Sequence, residues 1–210
     1  SNVSYPALYI SASSSNTILD SYIQGSTAAW IRSSTSTVIG GSVLISTRNG
    51  GSALGMDGGS FNLALTSSTF KGGPQGAAVI ISSGNFGFIT LTSNTITGGQ
   101  WGISIATMAC GLCNGNLSIT SMTFSGGLSA GATAIHFLGG TFTSTFTTVG
   151  FNDSLIAINV NGIYLNSAST ITMRAYAGVK SGPAYESDFA DPDGVGDWFY
   201  GYFTMVGGAA

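Results

Sequence analysis

Short stretches in which apolar and polar residues alternate recur along this chain, separated by glycine, serine and asparagine. Three copies occupy residues 63–70, 89–96 and 117–124, and a degenerate copy follows at 145–151. Their central apolar residues recur at a nearly constant interval and are Leu65, Leu91, Ile119 and Phe146. Alternation with a period of two is typical of β-strands, and a nearly fixed spacing of this size indicates stacked repeats.

A second alternating element, rich in β-branched residues, follows each copy. The four examples are residues 77–81, 101–105, 134–137 and 156–160. Upstream, residues 38–43 continue the pattern, with Val38 placed one repeat interval before Leu65, and residues 18–23 are compatible with a shorter coil. Glycine and β-branched residues interrupt every window long enough for a helix, so the pattern indicates strands and turns throughout.

This repeat predicts an all-β fold, a single-stranded, right-handed parallel β-helix (solenoid) of about six coils. One coil alone cannot bury its inward side chains, whereas coils stacked at ~4.8 Å bury them in columns of similar residues. One predicted column contains Leu65 and its equivalents, and a second contains Phe70, Ile96, Phe124 and Phe151. An antiparallel β-sandwich is the alternative, but it gives no reason for matching columns.

Residues 91–99, together with Gly102 and Ile103, resemble the degenerate repeat of right-handed parallel β-helix proteins, the pectate-lyase-like class. This resemblance implies a fold that hosts pectin enzymes, viral tailspikes and bacterial adhesins, and it does not select among them. In that class an asparagine at the position of Asn94 often belongs to a ladder of stacked side chains at a turn. The equivalent positions here are Ser68, Met122 and Val149, so we expect the ladder to be absent or broken.

Charge is scarce in this chain. Lys and Arg number 5 and Asp and Glu 8 among 210 residues, for a net charge of -3, whereas an ordinary domain is about 25% charged. So few basic residues exclude a nucleic-acid-binding stripe. The composition is associated with secreted, cell-surface or virion proteins, and no apolar run is long enough to predict a membrane span.

Acidic residues in the repeat region offer little for catalysis. They are Asp20, Asp57 and Asp153, and no two recur at one coil position. Polysaccharide cleavage on such a fold needs paired carboxylates, or carboxylates with calcium and a basic residue. Asp20 and Asp57 could meet only on neighbouring coils of the same face, and solvated turn residues are the alternative. We therefore assign no catalytic residue, although a site between subunits stays open.

Threonines on the outward side of the repeat form the first candidate binding surface. Alternation places them on the outer face, stacked in one column, and they are Thr66, Thr92, Thr120 and Thr147. Such an array of hydroxyl and methyl groups resembles the faces of β-solenoid ice-binding proteins. The alternative is structural, because threonine has a high strand propensity and suits any sheet surface.

Cys110 and Cys113 are the only two cysteines, and they lie in a longer connection between two repeats. Two thiolates cannot fill a tetrahedral zinc site, and a redox motif of this spacing would precede a helix. In an oxidising compartment we expect a local disulfide that closes a protruding loop.

The C-terminal part departs from the repeat. We expect residues 1–14 to be a lead-in or cap, 15–175 the β-helix, and 176–210 a capping or assembly segment. Within that segment Asp191, Asp193 and Asp197 stand at alternating positions among glycines and resemble extracellular calcium loops. An acidic surface turn is the alternative. The aromatic run at 198–206 would cap the open end of the rod or dock on another subunit.

These patterns favour a non-enzymatic extracellular or virion-surface β-helix that acts in adhesion, receptor or glycan binding, or self-assembly. Glycan binding would use hydroxyls and, if they are exposed, Trp30 and Trp101; burial in the core is the other possibility for both. Expected partners are other copies of the chain, a surface glycan, or both, with calcium as the one candidate cofactor. The alternatives are a tailspike-like or pectate-lyase-like polysaccharide-degrading domain, a lyase or glycoside hydrolase, and then an ice-binding protein.

Overall fold

The computed structural model describes the backbone of residues 5–82, 87–106, 114–124, 128–147, 150–151, 156–163, 170–174, 189–190 and 202–206. All regular structure in these residues is β-strand. The strands of the first four turns are β1 (Leu8–Ser11), β2 (Thr17–Leu19), β3 (Tyr22–Gly25), β4 (Ala29–Arg32), β5 (Thr35–Gly40), β6 (Val43–Ser46), β7 (Leu54–Asp57), β8 (Phe61–Thr66), β9 (Thr69–Lys71), β10 (Ala77–Ser82), β11 (Gly87–Thr92) and β12 (Thr95–Thr97). The strands that follow are β13 (Gly99–Ala106), β14 (Asn114–Thr120), β15 (Thr123–Phe124), β16 (Leu128–Thr147), β17 (Gly150–Phe151), β18 (Ile156–Ile163), β19 (Thr170–Arg174), β20 (Phe189–Ala190) and β21 (Tyr202–Val206).

From β1 to β15 every third strand pairs with its equivalent in the next turn, the long strand β16 then pairs with both β13 and β14, and all the pairs are parallel. Sheet A has the order β1-β4-β7-β10-β13-β16 and continues through β18 and β20. Sheet B has the order β2-β5-β8-β11-β14-β16 and continues through β19 and β21. Sheet C has the order β3-β6-β9-β12-β15-β17. The chain therefore winds through three sheets per turn, which is a parallel β-solenoid.

The predicted fold is confirmed, and the number of turns differs slightly from six. Four turns, from β1 to β12, are described with side chains almost throughout. Sheet C has six strands, whereas sheets A and B each extend by two further levels. Strand β1 starts at Leu8, within the segment expected to be a lead-in. Strands β20 and β21 pair with sheets A and B from within the segment expected to cap the rod.

The core lies between the three sheets, and the two predicted columns are part of it. Leu91 pairs with Leu65 on one side and Ile119 on the other, and Ile119 pairs with Phe146. In sheet C the second column is also in register, and its members are Phe70, Ile96, Phe124 and Phe151. Leu65, Leu91 and Ile119 are buried, as are the first three residues of the second column. Stacking of like side chains is thus the main source of burial.

One register in the predicted repeat is wrong by a single residue. Ile39, not Val38, pairs with Leu65. Ile39 is fully buried, and Val38 is 37% exposed on the outer face. The first turn is also shorter than the next, as the pairing of Ile39 with Ile18 on one side and with Leu65 on the other shows. A one-residue slip reverses the face of every side chain in a strand, so burial fixes this register.

A ladder of polar groups follows the corner between sheets B and C. The N–H of Ser21 donates to Oγ of Ser42 at 3.1 Å, and the N–H of Ser42 donates to Oγ of Ser68 at 3.1 Å. The N–H of Ser68 donates to Oδ1 of Asn94 at 2.9 Å. The ladder is therefore present over these four turns, with serine hydroxyls as acceptors in place of asparagine, and the expected break falls at the next position. Met122 occupies the next place, is buried and has no oxygen to offer.

The corner between sheets A and B is built in the same way. The N–H of Ser13 donates to Oγ of Ser34 at 3.2 Å, and the N–H of Ser34 donates to Oγ of Ser60 at 3.0 Å. Each of these serines follows a residue with positive φ, namely Ala12, Ser33 and Gly59. A left-handed residue turns the chain, and the next side chain then points inward, where its hydroxyl satisfies a buried N–H of the preceding turn.

Candidate binding surfaces

The predicted threonine column lies on the outer face of sheet B and is in register. Thr92 pairs with Thr66 and Thr120, and Thr120 pairs with Thr147. Thr66, Thr92 and Thr120 are half-buried, whereas the leucines and the isoleucine that precede them are buried. The backbone of Thr147 is described and continues the column. Outward hydroxyls thus repeat once per turn at the ~4.8 Å spacing of paired strands.

Further hydroxyls extend this column around the corner onto sheet C. Thr95 pairs with Thr69 and Thr123 on the outer face of that sheet. Between the two columns stand exposed serines with φ near +50°, namely Ser67, Ser93 and Ser121. We call the whole set the hydroxyl ridge, and its members are Thr66, Ser67, Thr69, Thr92, Ser93, Thr95, Thr120, Ser121 and Thr123. Its signal in the sequence is the motif Thr-Ser-x-Thr, repeated three times at 66–69, 92–95 and 120–123.

The ridge contains no ionisable group. The nearest charge in the register is Lys71, which is exposed at the end of β9 and pairs with Thr97. Asp20 occupies the same corner in the first turn, where the ridge has not yet begun. Hydroxyls and methyl groups therefore define the chemistry of this surface, which suits an uncharged ligand.

A different surface lies on the outer face of sheet A. Trp30 pairs with Tyr9 of the preceding turn and Gly55 of the following one, and Gly55 pairs with Ile80. Trp30 and Ile80 are half-buried, and Tyr9 is 53% exposed. These side chains face outward, as the burial of Ala29 and Ile31 on either side of Trp30 indicates. Apolar side chains thus form a strip along the axis of the solenoid.

Trp101, the other tryptophan expected at a binding surface, lies near the start of β13 and is half-buried. It pairs with Ala77, which is fully buried, and with Thr133. Trp30 and Trp101 therefore belong to the same sheet but to different columns. The structure does not combine them into one site.

Two charged residues flank the apolar strip. Arg32 pairs with Asp57 of the following turn, and Nε of Arg32 lies 3.9 Å from Oδ1 of Asp57. The arginine side chain is 58% exposed and that of the aspartate 21%. Oδ1 of Asp57 is buried and accepts no hydrogen bond from the described residues. The two groups neutralise each other and retain hydrogen-bonding capacity.

The carboxylates considered for catalysis do not meet. Asp20 follows β2 in the first turn at the corner between sheets B and C, whereas Asp57 ends β7 in the third turn on sheet A. Asp153 lies outside the described residues, as do Cys110, Cys113, Asp191, Asp193 and Asp197. In the described part of the chain no group of three His, Cys, Asp or Glu residues is placed to hold a metal ion. The same residues include no helix with the length and hydropathy that a bilayer crossing requires.

Comparison of the chain with models of protein families, with curated proteins and with solved structures finds no match. The fold defines the class of this protein as a parallel β-solenoid.

Proposed function

We propose that this protein is a non-enzymatic β-helix of a cell exterior or virion surface, and that it acts in adhesion by binding a surface glycan. The observation that carries the proposal is the hydroxyl ridge, which presents three hydroxyls per turn over three successive turns. Glycans are rich in hydroxyls, and a rigid array of donors and acceptors pairs with them at little cost in conformational entropy.

The solenoid supports this role through its rigidity. Neighbouring turns are held by continuous parallel pairing in three sheets and by the serine ladders at two corners. Side chains on the outer faces are consequently held at fixed spacing over several turns. A repeating polymer that matches this spacing would contact several turns at once, and the individual weak contacts would add through multivalency.

Incubation of the purified chain with neutral polysaccharides tests the proposal. We expect retention of the chain on an immobilised glycan, with the length distribution of the soluble polymer unchanged after prolonged incubation. Shortened polymer chains would instead support the polysaccharide-degrading alternative. Electron microscopy of the same sample distinguishes single rods from filaments and so tests self-assembly, the other mode of action proposed for this class.

Ice binding is the second candidate, and the register of the threonine column favours it. Thr66, Thr92 and Thr120 repeat at one position of successive turns, on a ridge that contains no ionisable group. The expected result is thermal hysteresis and faceted ice crystals, both reduced by Thr92→Tyr because a bulky ring interrupts the flat column. Ser11→Tyr, an exposed position at the end of β1 on sheet A, is the matched control. Ordinary disc-shaped crystal growth in wild-type solution would remove this candidate.

A further inference from the structure

We infer that the outer face of sheet A around Trp30 is a glycan-binding platform that takes a neutral pyranose residue. We call this set of residues the Trp30 platform; it consists of Tyr9, Trp30, Arg32, Gly55 and Asp57. The inference rests on the proposed function, because it names a ligand class and a site for the same adhesive activity. It adds to the hydroxyl ridge a second contact surface, which lies on another sheet.

Gly55 determines how the indole of Trp30 lies. A Cβ atom at position 55 would overlap the benzenoid edge of that ring, at Cε3 and Cζ3. The indole therefore extends along the solenoid axis and covers the backbone of the next turn. Glycine is required for this close approach, since any other side chain would push the ring away. The ring is half-buried in this position, and its remaining surface faces outward.

A second aromatic side chain extends the surface by one turn. Tyr9 pairs with Trp30 and is 53% exposed, so the two rings occupy adjacent levels of the same column. Ile80 lies beyond Gly55 in that column and is half-buried. The result is an apolar strip that spans four turns of sheet A. Apolar side chains grouped on a protein surface are a common feature of binding sites.

Polar groups lie beside the aromatic strip, two residues further along the same strands. Arg32 and Asp57 lie two residues beyond Trp30 and Gly55 in their own strands, on the same face. Their 3.9 Å separation is longer than a hydrogen bond, so the arginine donors and the exposed part of the carboxylate are available to hydroxyl groups of a ligand. Because one charge balances the other, the platform favours no net charge in its ligand.

This combination fits a sugar ring better than it fits a peptide or a lipid. A pyranose has one face of C–H groups, which stacks on an aromatic ring, and a rim of hydroxyls, which pairs with charged donors and acceptors. A lipid surface would prefer an apolar patch without the ion pair, or one with basic residues. A peptide strand would need a free sheet edge, whereas β4 and β7 are paired on both sides.

The test compares wild-type protein with three variants on a glycan array, followed by titration with the best glycan. We expect Trp30→Ala to weaken binding about tenfold or more, which corresponds to about 1.4 kcal/mol. Arg32→Gln, at a largely exposed position, should weaken the same binding severalfold without a change in melting temperature. Phe88→Ala is the matched control, because Phe88 is an aromatic residue that is 65% exposed on sheet B; it should bind like wild type.

Tryptophan fluorescence gives an independent readout, which does not require that the Trp30→Ala variant folds. Binding of the glycan should shift the emission of wild-type protein. Trp30→Phe should retain a stacking ring and measurable binding, but lose that shift, although Trp101 and Trp198 remain.

The outcomes separate the two proposals. Wild-type protein that binds no glycan overturns the proposed function and the platform with it. Wild-type binding that Trp30→Ala and Arg32→Gln leave unchanged overturns the platform alone, and binding lost in Phe88→Ala but not in Trp30→Ala would place the site on sheet B.

Discussion

Serine hydroxyls at the corners have two roles in each turn of this solenoid. Oγ of Ser68 accepts the N–H of Ser42 from the preceding turn and donates to the carbonyl of Thr66 at 2.8 Å in its own turn. Ser42 repeats the second contact with the carbonyl of Gly40. A small hydroxyl thus closes the corner and joins it to its neighbour, where a buried N–H would otherwise have no partner.

Replacement of Ser68 by alanine should lower the free energy of unfolding by about 1–3 kcal/mol, because the buried N–H of Ser42 loses its acceptor. Denaturant-induced unfolding measures this change. Ser11→Ala, an exposed serine in β1, is the control and should stay within about 0.5 kcal/mol of wild type. Equal effects of the two substitutions would show that the ladder does not contribute to stability.

At the scale of strands, the surroundings of a side chain are determined mainly by residues of the neighbouring turns and less by residues of its own strand. Trp30 and Gly55 lie a full turn apart in sequence, yet register makes them direct neighbours on sheet A. The indole occupies the space that a side chain at position 55 would fill, and it covers the backbone of the glycine. The two positions are therefore expected to be coupled energetically.

Gly55→Ala should destabilise the protein by about 1–3 kcal/mol through overpacking against the ring. In a Trp30→Ala background the same substitution should cost much less, because the obstructing ring is gone. A double-mutant cycle of unfolding free energies measures the coupling. Gly50→Ala is the control, since a Cβ there meets nothing within 4 Å. Additive effects of the two substitutions would contradict the described contact.

The sequence predicted the strands and inward columns because each depends on a repeat visible within the chain. Leu65, Leu91 and Ile119 could be aligned without any knowledge of the fold. The predicted alignment of Val38 with Leu65 was wrong because two adjacent apolar residues, Val38 and Ile39, fit the repeat equally well in the sequence. Only their burial in the structure distinguishes them. The serine ladder was missed because it depends on the type of acceptor atom and not on residue identity.

The Trp30 platform was beyond prediction for a related reason. The turns on either side of Trp30 differ in length from the later copies, so its partners Tyr9 and Gly55 could not be found by extending the repeat. By contrast, the register of the threonine column was predicted from the sequence, because the column belongs to the regular part of the repeat. Its extension around the corner needed the left-handed serines, whose conformation the spacing does not reveal.

Over the whole molecule, charge is concentrated towards the C-terminus. Five of the eight acidic residues lie within residues 186–197, and three of them are Asp191, Asp193 and Asp197 of the candidate calcium loop. Hydroxyl groups instead dominate the ridge along the rod. A cation that binds carboxylates is therefore expected to bind the C-terminal segment more strongly than the hydroxyl ridge, which contains no ionisable group.

Calcium binding by that segment stays a prediction. Isothermal titration of the full chain with Ca²⁺ should give a binding isotherm, and Asp193→Asn should weaken the affinity about tenfold or more by removing a carboxylate ligand. Asp153→Asn, an acidic residue outside the motif, should leave the affinity unchanged. Absence of binding heat and of any calcium-dependent rise in melting temperature would support an acidic surface turn instead.

The corner ladder has a consequence for how such a molecule changes length. The N–H of Ser42 donates to a side-chain oxygen of Ser68, and the N–H of Ser68 donates to a side-chain oxygen of Asn94. Each of these layers therefore offers a backbone donor to the following layer and a side-chain acceptor to the preceding one. Layers of this kind are interchangeable. Duplication or loss of one serine-bearing module in the gene would lengthen or shorten the rod by ~4.8 Å while the corners between Ser21 and Asn94 kept their hydrogen-bond partners.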